Sequence, residues 1–345
     1  MLSSATPPES HIFSISGRLG NRFITAAGII ERLLRWQNVD RPLVAIVGPT
    51  ASGKSELALK VAEAFSGEIV NCDALQLYRG FDIGTAKTPA DARRGISHHL
   101  LDALDPQMSF SAGDYARAAK EIISGISSSG HLPLVVGGTG FYLRALLDGL
   151  PALPGRDDLL REKLGQREQL RPGTLHKLLA RLEPSAAARI HPRDAQKTTR
   201  ALEIRLLTGA ALPTPAVAVP LSGFRVFQIG LAPDRSLLAD AIAARTRKMF
   251  AAGLIEEVQG LLSQGLSGGE KPFESLGYKQ ALAYLRGEIS IEQAVESTAI
   301  ETRQYAKRQL TWFRGDPRTV WFRGFGSDPE IAKACLEALG KFLSM

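Results

Sequence analysis

An eight-residue string, Gly-Pro-Thr-Ala-Ser-Gly-Lys-Ser at residues 48–55, matches the phosphate-loop pattern G-x-x-x-x-G-K-[ST] at every fixed position. Its glycines, Gly48 and Gly53, permit backbone conformations in which successive amides converge on phosphate oxygens at a helix N-terminus. Lys54 adds a positive charge, and Ser55 adds a hydroxyl suited to Mg²⁺. The string therefore predicts binding of a phosphorylated ligand without identifying which one.

Asp73 is the second residue of chemical interest, because it directly follows a strand predicted at residues 68–72. A carboxylate at a strand end beside bound phosphates could accept a proton from the amine or hydroxyl of an acceptor. It could instead hold Mg²⁺ through water, or cap a helix. A later apolar segment, residues 132–136, ends in Gly-Gly-Thr-Gly, where a nucleotide hydrolase would have a magnesium-binding Asp. The sequence therefore argues against ordinary nucleotide hydrolysis.

The segments that must position these groups alternate between strand and helix patterns. Helical patterns separate the earlier strands, which are predicted at residues 43–47, 68–72, 132–136 and 225–231. This alternation predicts an α/β fold of the P-loop NTPase-like type, with a parallel sheet covered by helices on both faces. Ligands of such sheets bind at the carboxyl ends of the strands, so the phosphate loop, Asp73 and residues 137–140 should share one crevice.

A basic helical segment interrupts this pattern at residues 155–205, where twelve Lys and Arg outnumber seven Asp and Glu. Proline-rich residues 151–154 and the Ala/Pro/Val stretch at 211–220 flank it and predict domain boundaries. We interpret the segment as a helical insertion into the phosphate-binding core, and its charge is compatible with either a nucleic-acid surface or solvated helix faces. A long helix with one basic face is predicted at residues 291–314. The predicted organisation is a partly helical extension at residues 1–40, a catalytic core at 41–154 and 206–325, the insertion at 155–205, and a C-terminal helix at 326–345.

The overall composition limits the classes of partner. The chain has 345 residues, with 42 Lys and Arg against 35 Asp and Glu and a formal net charge of +7. This balance favours a polyanionic partner such as nucleic acid, and no apolar stretch approaches the length that spans a bilayer. Two distant cysteines, Cys72 and Cys335, form neither a zinc motif nor a disulfide framework and predict a cytoplasmic protein. His98 and His99 lack a matching ligand cluster, which favours a structural role.

Several strings occur in the order found in one enzyme family. Together they resemble the bacterial tRNA dimethylallyltransferases over nearly all of residues 42–322. The phosphate loop occurs in many families, but its combination with the other strings is specific. One departure is Lys279, where the family commonly has Arg, since Lys keeps the charge and loses the bidentate geometry. The strings are residues 48–55, Asp-Ala-Leu-Gln at 73–76, Asp-Ile-Gly-Thr-Ala-Lys at 82–87, Gly-Gly-Thr at 137–139, Arg-Ala-Leu-Glu at 200–203, Leu-Gly-Tyr-Lys at 276–279 and Thr-Arg-Gln-Tyr-Ala-Lys-Arg-Gln-Leu-Thr-Trp at 302–312.

The resemblance implies transfer of a dimethylallyl group from dimethylallyl diphosphate to the exocyclic amine of the adenosine 3′ of a tRNA anticodon. Cleavage of the carbon–oxygen bond leaves charge on the diphosphate, which loop amides, Lys54 and Mg²⁺ near Ser55 can neutralise. By the same resemblance, Asp73 accepts the proton of the amine, and Thr139 hydrogen-bonds the donor or the acceptor. The implied diphosphate-binding residues are Gly48, Thr50, Ala51, Ser52, Gly53, Lys54, Ser55 and Arg245, with Arg247 as an alternative to Arg245.

The resemblance also implies how tRNA is bound. Basic helices would hold the anticodon stem, and the target nucleotide would be flipped into a channel between core and insertion. We expect the protein to be a monomer. We expect it to bind tRNA and not to bind membranes. The implied tRNA-binding residues are Asp73, Ala74, Leu75, Gln76, Arg161, Gln196, Lys197, Thr198, Thr199, Arg200, Glu274, Ser275, Leu276, Gly277, Tyr278 and Lys279.

Three other functions are compatible with parts of the same sequence. A small-molecule kinase would bind ATP in the loop and use Asp73 as the base toward an acceptor hydroxyl. An RNA-binding switch would use nucleotide only to change its affinity for RNA, and it would form no covalent product. A prenyltransferase acting on free adenine nucleotides would leave the basic insertion and the long basic helix without a substrate.

Overall fold

The computed structural model describes residues 40–151, 153–212 and 219–345. The extension predicted at residues 1–40 therefore lies outside the described residues, apart from Asp40. Most of the stretch at residues 211–220 lies outside them as well. Among the residues that are described, no helix combines the length and the apolar character needed to cross a membrane.

A sheet of six parallel strands forms the centre of the described structure. In chain order its strands are β1 (Arg41–Val47), β2 (Gly67–Asn71), β3 (His98–His99), β4 (Leu132–Gly137), β5 (Phe224–Leu231) and β6 (Thr319–Phe322). In space their order is β3-β2-β4-β1-β5-β6, and every neighbouring pair is parallel. The four predicted strands are confirmed to within two residues at each end, whereas the sequence patterns do not predict β3 and β6.

Twelve α-helices and two short 3₁₀ helices, Asp91–Arg93 and Lys271–Glu274, occur in the described part of the chain. The long helix predicted at residues 291–314 is confirmed at both ends, and the C-terminal helix begins at Pro329. The α-helices are α1 (Lys54–Phe65), α2 (Ala112–Ser128), α3 (Gly140–Leu147), α4 (Asp158–Leu170), α5 (Thr174–Leu182), α6 (Pro184–Ala187), α7 (Ala195–Thr208), α8 (Arg235–Ala251), α9 (Leu254–Ser263), α10 (Tyr278–Leu285), α11 (Ile291–Arg314) and α12 (Pro329–Ser344).

Local capping explains where the long helices begin. Ser290 caps α11 by accepting a hydrogen bond from the amide of Gln293, whose side chain accepts one from the Ser290 amide in return. Asp328 caps α12 in the same general way, and Pro329 occupies its first position, where no intrahelical donor is needed. These contacts satisfy amides that a helix N-terminus would otherwise leave unpaired.

Helices cover both faces of the sheet, because β1 is apolar on both faces from Pro42 to Val47. Leu43, Ala45 and Val47 belong to a buried cluster with α2, α3, α9 and α10. Val44 and Ile46 belong to a second cluster with α1 and α12. None of these five side chains is more than 2% exposed. The arrangement confirms the predicted α/β fold of the P-loop type, with a parallel sheet between two layers of helices.

The basic segment at residues 155–205 contains the helices α4, α5 and α6 and most of α7, which ends three residues beyond it at Thr208. Their apolar side chains pack in a cluster that draws all its members from residues 160–212, including Leu164, Leu179 and Leu202. Glu203 lies on α7 beside this cluster, and its side chain is fully buried. Because the helices have a core of their own, the segment can present its charged faces without contributing to the main core.

Candidate active site

The phosphate loop joins β1 to α1 in a conformation that leaves the helix N-terminus open toward a ligand. Gly48 has a φ of 146° and Gly53 a φ of 83°, values that favour glycine. Ala51, between them, also has a positive φ, of 63°. An alanine in this region is strained, and such strain is concentrated at ligand-binding sites. Helix α1 begins at Lys54, so its first amides and its dipole point into the loop.

The backbone at Gly326 and Ser327, distant in sequence, packs against the phosphate loop. The amide of Gly326 donates a hydrogen bond of 2.9 Å to the carbonyl oxygen of Ser52. A Cβ atom on Gly53 would lie 2.8 Å from the amide nitrogen of Ser327, so a side chain at Gly53 would displace this segment. Ser52 itself is fully buried. The glycine of the motif is therefore required by packing as well as by its backbone angle.

The side chain of Lys54 is hydrogen-bonded to the backbone of the phosphate loop. Its Nζ donates to the carbonyl oxygens of Gly48 at 3.0 Å and Pro49 at 2.7 Å. Burial lowers the pKa of Lys54 to about 8, the nearby Asp73 carboxylate opposes that shift, and Arg245 adds to it. A phosphate anion at this position would restore the charged form of the lysine, because an opposite charge favours ionisation.

Asp73 follows β2 and is held in place by Asn71. The Asn71 Oδ1 atom accepts from the amide of Asp73 at 3.0 Å, and its Nδ2 donates to the Asp73 carbonyl at 3.0 Å. Nδ2 also donates to the carbonyl of Leu100 at 2.9 Å. One carboxylate oxygen of Asp73, Oδ1, accepts from the amide of Leu75 at 3.0 Å. The loop thus fixes the position of the carboxylate and uses one of its two oxygens.

Two adjoining cavities lie at this edge of the sheet. The first cavity, of about 350 Å³, is lined by residues 50–55 of the phosphate loop together with Asn71 and Gln76. The second cavity, of about 400 Å³, is lined by residues of α8, α10 and α11 and by the segment that precedes α10. Six residues line both cavities, namely Thr50, Ala51, Asp73, Thr85, Arg245 and Tyr305.

Arg245 and Arg247, the two alternatives for a diphosphate contact, occupy different environments. Arg245 lines both cavities, whereas Arg247 is exposed and lines neither of them. Burial lowers the pKa of Arg245, and the Asp73 carboxylate opposes that shift. A partly buried arginine that lines the same cavity as the phosphate loop is suited to bind an anion, so the placement favours Arg245 over Arg247 for this role.

Thr139 connects the end of β4 to the Asp73 loop. Its Oγ1 atom accepts a hydrogen bond of 3.1 Å from the amide of Ala74, and its own amide donates to the carbonyl of Cys72 at 3.1 Å. Thr139 is absent from the residues that line the two cavities. In this structure its hydroxyl positions the Asp73 loop, and direct contact with a substrate stays a prediction.

The residues implied for tRNA binding near α10 divide into two groups. Glu274, Ser275, Leu276 and Lys279 line the second cavity. Tyr278, in contrast, is completely buried. Its hydroxyl accepts from the amide of Gly84 at 3.1 Å and donates to the carboxylate of Glu257, and Gly277 beside it is buried as well. Tyr278 therefore stabilises the Gly84 loop, and its side chain is not available to bind RNA.

The implied tRNA-binding residues of the basic segment are also in different environments. Arg161 and Arg200 both donate to the fully buried carboxylate of Glu203, and Arg161 does so with Nε and Nη2 at 2.8 Å each. Burial alone would raise the pKa of Glu203, but hydrogen bonds from Arg161, the Asp157 amide and Arg200 outweigh it and lower the pKa to about 2. Thr198 is only 1% exposed.

Arg161 and Arg200 are thus engaged in an internal ion-pair cluster, and Thr198 has no exposed side chain to contribute. Gln196 and Lys197 are exposed at the start of α7, and Thr199 is partly exposed. In the Asp73 loop, Leu75 and Gln76 line the cavities, and Ala74 contributes its amide to Thr139. Any contact of these residues with tRNA stays a prediction.

Sequence reasoning did not single out three residues that contribute to the site. Tyr305 lines both cavities, and Gln309 lines the first cavity one helical turn later on α11. Burial raises the pKa of the Tyr305 hydroxyl, and the Asp73 carboxylate adds to that shift. Asn71 orients Asp73, as described above. The sequence feature that could have indicated Tyr305 and Gln309 is their spacing of four residues, which places them on one face of a helix.

Residues 76–316 match a family model described as IPP transferase. The tRNA dimethylallyltransferase of Solibacter usitatus is 52% identical over 304 residues, which cover 88% of this chain and 99% of the relative. That of Koribacter versatilis is 48% identical over 308 residues, which cover 87% and 98% of the two chains. The crystal structure of the full-length tRNA isopentenylpyrophosphate transferase from Bacillus halodurans is similar at a TM-score of 0.66 and 36% identity, covering 88% of this chain and 97% of that one.

Proposed function

Because the chain belongs to the IPP transferase family, we propose that it transfers a dimethylallyl group from dimethylallyl diphosphate to tRNA. The acceptor is the exocyclic amine of the adenosine immediately 3′ of the anticodon, and the second product is diphosphate. One observation carries the proposal: the phosphate loop and the Asp73 carboxylate line the same cavity. An anion site and a base are thus close enough to act on a donor and an acceptor at once.

The donor diphosphate binds in the first cavity, at the N-terminus of α1. Loop amides, the ammonium of Lys54 and the guanidinium of Arg245 face it, and all three are donors of hydrogen bonds to anions. Charge grows on the diphosphate as the carbon–oxygen bond breaks, so groups already fixed around it stabilise the transition state more than the bound donor. Lys54 contributes most when charged, a state that the diphosphate itself favours.

Asp73 removes the proton of the adenine amine. Asn71 holds the Asp73 backbone, and one carboxylate oxygen accepts from the Leu75 amide, so the other oxygen is free to accept a proton. Asp73 also lines the second cavity, from which the acceptor base approaches. The amine attacks the allylic carbon while the carbon–oxygen bond to the diphosphate breaks, and the amine proton passes to Asp73.

The donor set also fits Mg²⁺. Ser55 lines the first cavity and offers a hydroxyl oxygen, and the donor diphosphate would offer further oxygens, the ligand type that Mg²⁺ prefers. Among the described residues, no group of three or more His, Cys, Asp or Glu side chains could hold a metal ion by itself. This agrees with an ion that completes its shell with water and substrate phosphate. Bound there, Mg²⁺ would neutralise charge on the diphosphate leaving group.

The tRNA binds across the basic segment and the mouth of the second cavity. The exposed residues Gln196 and Lys197 lie on α7, and Glu274 and Lys279 line the cavity. The target base must leave its stack to reach Asp73, as enzymes that modify bases require. We propose that the enzyme acts as a monomer in the cytoplasm, with no membrane partner.

The proposal is tested by incubating the purified chain with labelled dimethylallyl diphosphate, Mg²⁺ and an unmodified tRNA transcript. Mass spectrometry of the digested nucleosides should identify prenylated adenosine, and mass spectrometry of ribonuclease fragments should place it at the position 3′ of the anticodon. A matched transcript with guanosine at that position should give no product, because guanine lacks the amine at that ring position.

The alternative functions give different results in the same experiment. Turnover of ATP with a small acceptor and no prenylation of any tRNA would identify a kinase. Binding of tRNA that depends on nucleotide, without a covalent product, would identify a switch. Prenylation of free AMP at a rate equal to that of tRNA would show that the anticodon is not the substrate.

A further inference from the structure

Gln309 is a buried side chain on α11 that bridges two separate loops of the site. Its Oε1 atom accepts a hydrogen bond of 2.8 Å from the amide of Thr50 in the phosphate loop. Its Nε2 atom donates a hydrogen bond of 2.9 Å to the carbonyl of Gly138, after β4. An amide nitrogen can only donate and a carbonyl can only accept, so the two backbone partners fix the orientation of the Gln309 amide. The side chain is 5% exposed.

This bridge continues to the catalytic loop. Gly138 precedes Thr139, whose Oγ1 accepts from the amide of Ala74 at 3.1 Å. Ala74 follows Asp73 directly. An unbroken series of contacts therefore runs from the phosphate loop through Gln309 and the β4 loop to the residue beside the proposed base.

Position 138 must be glycine for the Gln309 amide to reach its backbone partner. A Cβ atom on Gly138 would lie 2.1 Å from Nε2 of Gln309. Its next neighbouring residue would be Gly48, whose carbonyl oxygen would lie 3.8 Å away. Its φ lies outside the left-handed region that favours glycine. The absence of a side chain at Gly138 thus serves mainly to admit the Gln309 amide.

We propose that Gln309 is a positioning residue that fixes the distance between the donor diphosphate and the Asp73 carboxylate. The inference rests on the proposed function, because it assigns those two groups their roles. Gln309 also occupies the Thr50 amide, and the Ser52 amide donates to the carbonyl of Pro49 at 3.3 Å, so the diphosphate is bound by the other later amides of the loop. The donor is thereby placed toward α1 and at a set distance from Asp73.

The perturbation is Gln309→Met, which keeps the length of the side chain and removes both hydrogen bonds. The rate of transfer in a single turnover should fall about 10-fold to 100-fold, the effect expected when reacting groups move apart by about 1 Å. Donor binding, measured by calorimetric titration with dimethylallyl diphosphate and Mg²⁺ in the absence of tRNA, should keep its stoichiometry and stay within about threefold of wild type. Lys54, Arg245 and the later loop amides remain to bind the donor.

Two further variants make the result specific. Gln304→Met removes an exposed glutamine from the same helix and should leave both measurements unchanged. Gly138→Ala displaces the Gln309 amide from the other side and should lower the transfer rate to a similar extent. Because both changes break one bridge, the double variant Gly138→Ala, Gln309→Met should be within about twofold of the slower single variant.

The outcomes separate the inference from the function on which it rests. If wild type forms no prenylated tRNA, the proposed function fails. If wild type is active and Gln309→Met transfers as fast as Gln304→Met, the inference is wrong. It is equally wrong if the stoichiometry of donor binding falls in proportion to the rate, since that shows a structural role, or if the two rate losses multiply in the double variant. Should Gln309→Met fail to fold, Gly138→Ala decides by the same rate and binding criteria.

Discussion

Because of the pKa of Lys54, the affinity for the donor should depend on pH between pH 7 and 9, a range in which binding can be measured. Burial lowers this pKa to about 8, the Asp73 carboxylate opposes the shift, and Arg245 adds to it. Below this pH the lysine is charged and attracts the diphosphate. Above it, the free enzyme holds a neutral amine, and binding must first take up a proton. We therefore expect the affinity for dimethylallyl diphosphate to fall as the pH rises through 8.

The size of the effect follows from the pKa. If only the enzyme with a charged lysine binds the donor, the apparent Kd is multiplied by one plus the ratio of neutral to charged lysine. This factor is about 1.1 at pH 7, about 2 at pH 8 and about 11 at pH 9, the last equal to about 1.4 kcal/mol of binding free energy. A lysine at its ordinary value of 10.5 would change the Kd by only about 3% at pH 9.

Calorimetric titration of donor into protein between pH 7 and 9, at constant ionic strength and Mg²⁺ and without tRNA, measures this profile. The last ionisation of a phosphate lies near pH 6, below the range, so the charge of the donor stays nearly constant. The control is Lys54→Arg, whose guanidinium stays charged throughout and should give a flat profile. A flat wild-type profile, or an equal rise in Lys54→Arg, would refute the role assigned to Lys54.

Three other predictions follow from the same site and its surroundings. Asp73→Asn should lower the rate of transfer by about 10²-fold to 10⁴-fold with tRNA binding on filters almost unchanged, and an equal loss of binding would make the role of Asp73 structural. Arg245→Ala should raise the KM for the donor about tenfold or more, whereas the exposed Arg247→Ala should change it less than about twofold; similar effects would contradict the assignment of Arg245. Glu203→Gln should lower the free energy of unfolding by about 2–3 kcal/mol in urea, because Arg161 loses a buried charged partner. Since the pKa of Glu203 is lowered from 4.5 to about 2, this advantage of wild type should be present above pH 4.5 and shrink toward pH 2, and a difference that is constant over that range would argue against the ion pair.

The parts of the site that sequence predicts are those determined by local chemistry. The phosphate loop is a continuous string, and its glycines report the backbone angles that the structure shows at Gly48 and Gly53. The proximity of Asp73 to that loop followed from a topological rule, since the carboxyl ends of parallel strands share one edge. Both inferences needed only short segments and the identity of β1, β2 and β4 as neighbouring parallel strands.

The parts that sequence could not predict depend on contacts between distant residues. Gln309 meets Thr50 across 259 positions, and nothing local distinguishes it from the exposed Gln304. Tyr278 belongs to a string that implied tRNA contact, yet its ring is buried and its hydroxyl satisfied by Gly84 and Glu257. The strands β3 and β6 have two and four residues, too few to show a repeating pattern. Each of these features is determined by tertiary packing.

Packing at the end of β4 also explains why a phosphate loop serves here without the magnesium-binding Asp of nucleotide hydrolases. Gly137 lies opposite Val47, the last residue of β1, where such a carboxylate would be expected. A Cβ atom on Gly137 would lie 2.0 Å from the carbonyl oxygen of Cys72, so any side chain would push away the loop that carries Asp73. The acidic group therefore comes from β2, one strand farther from the phosphate loop. Asp73 is the only carboxylate among the six residues that line both cavities, a position suited to a base that acts between a diphosphate and an acceptor amine.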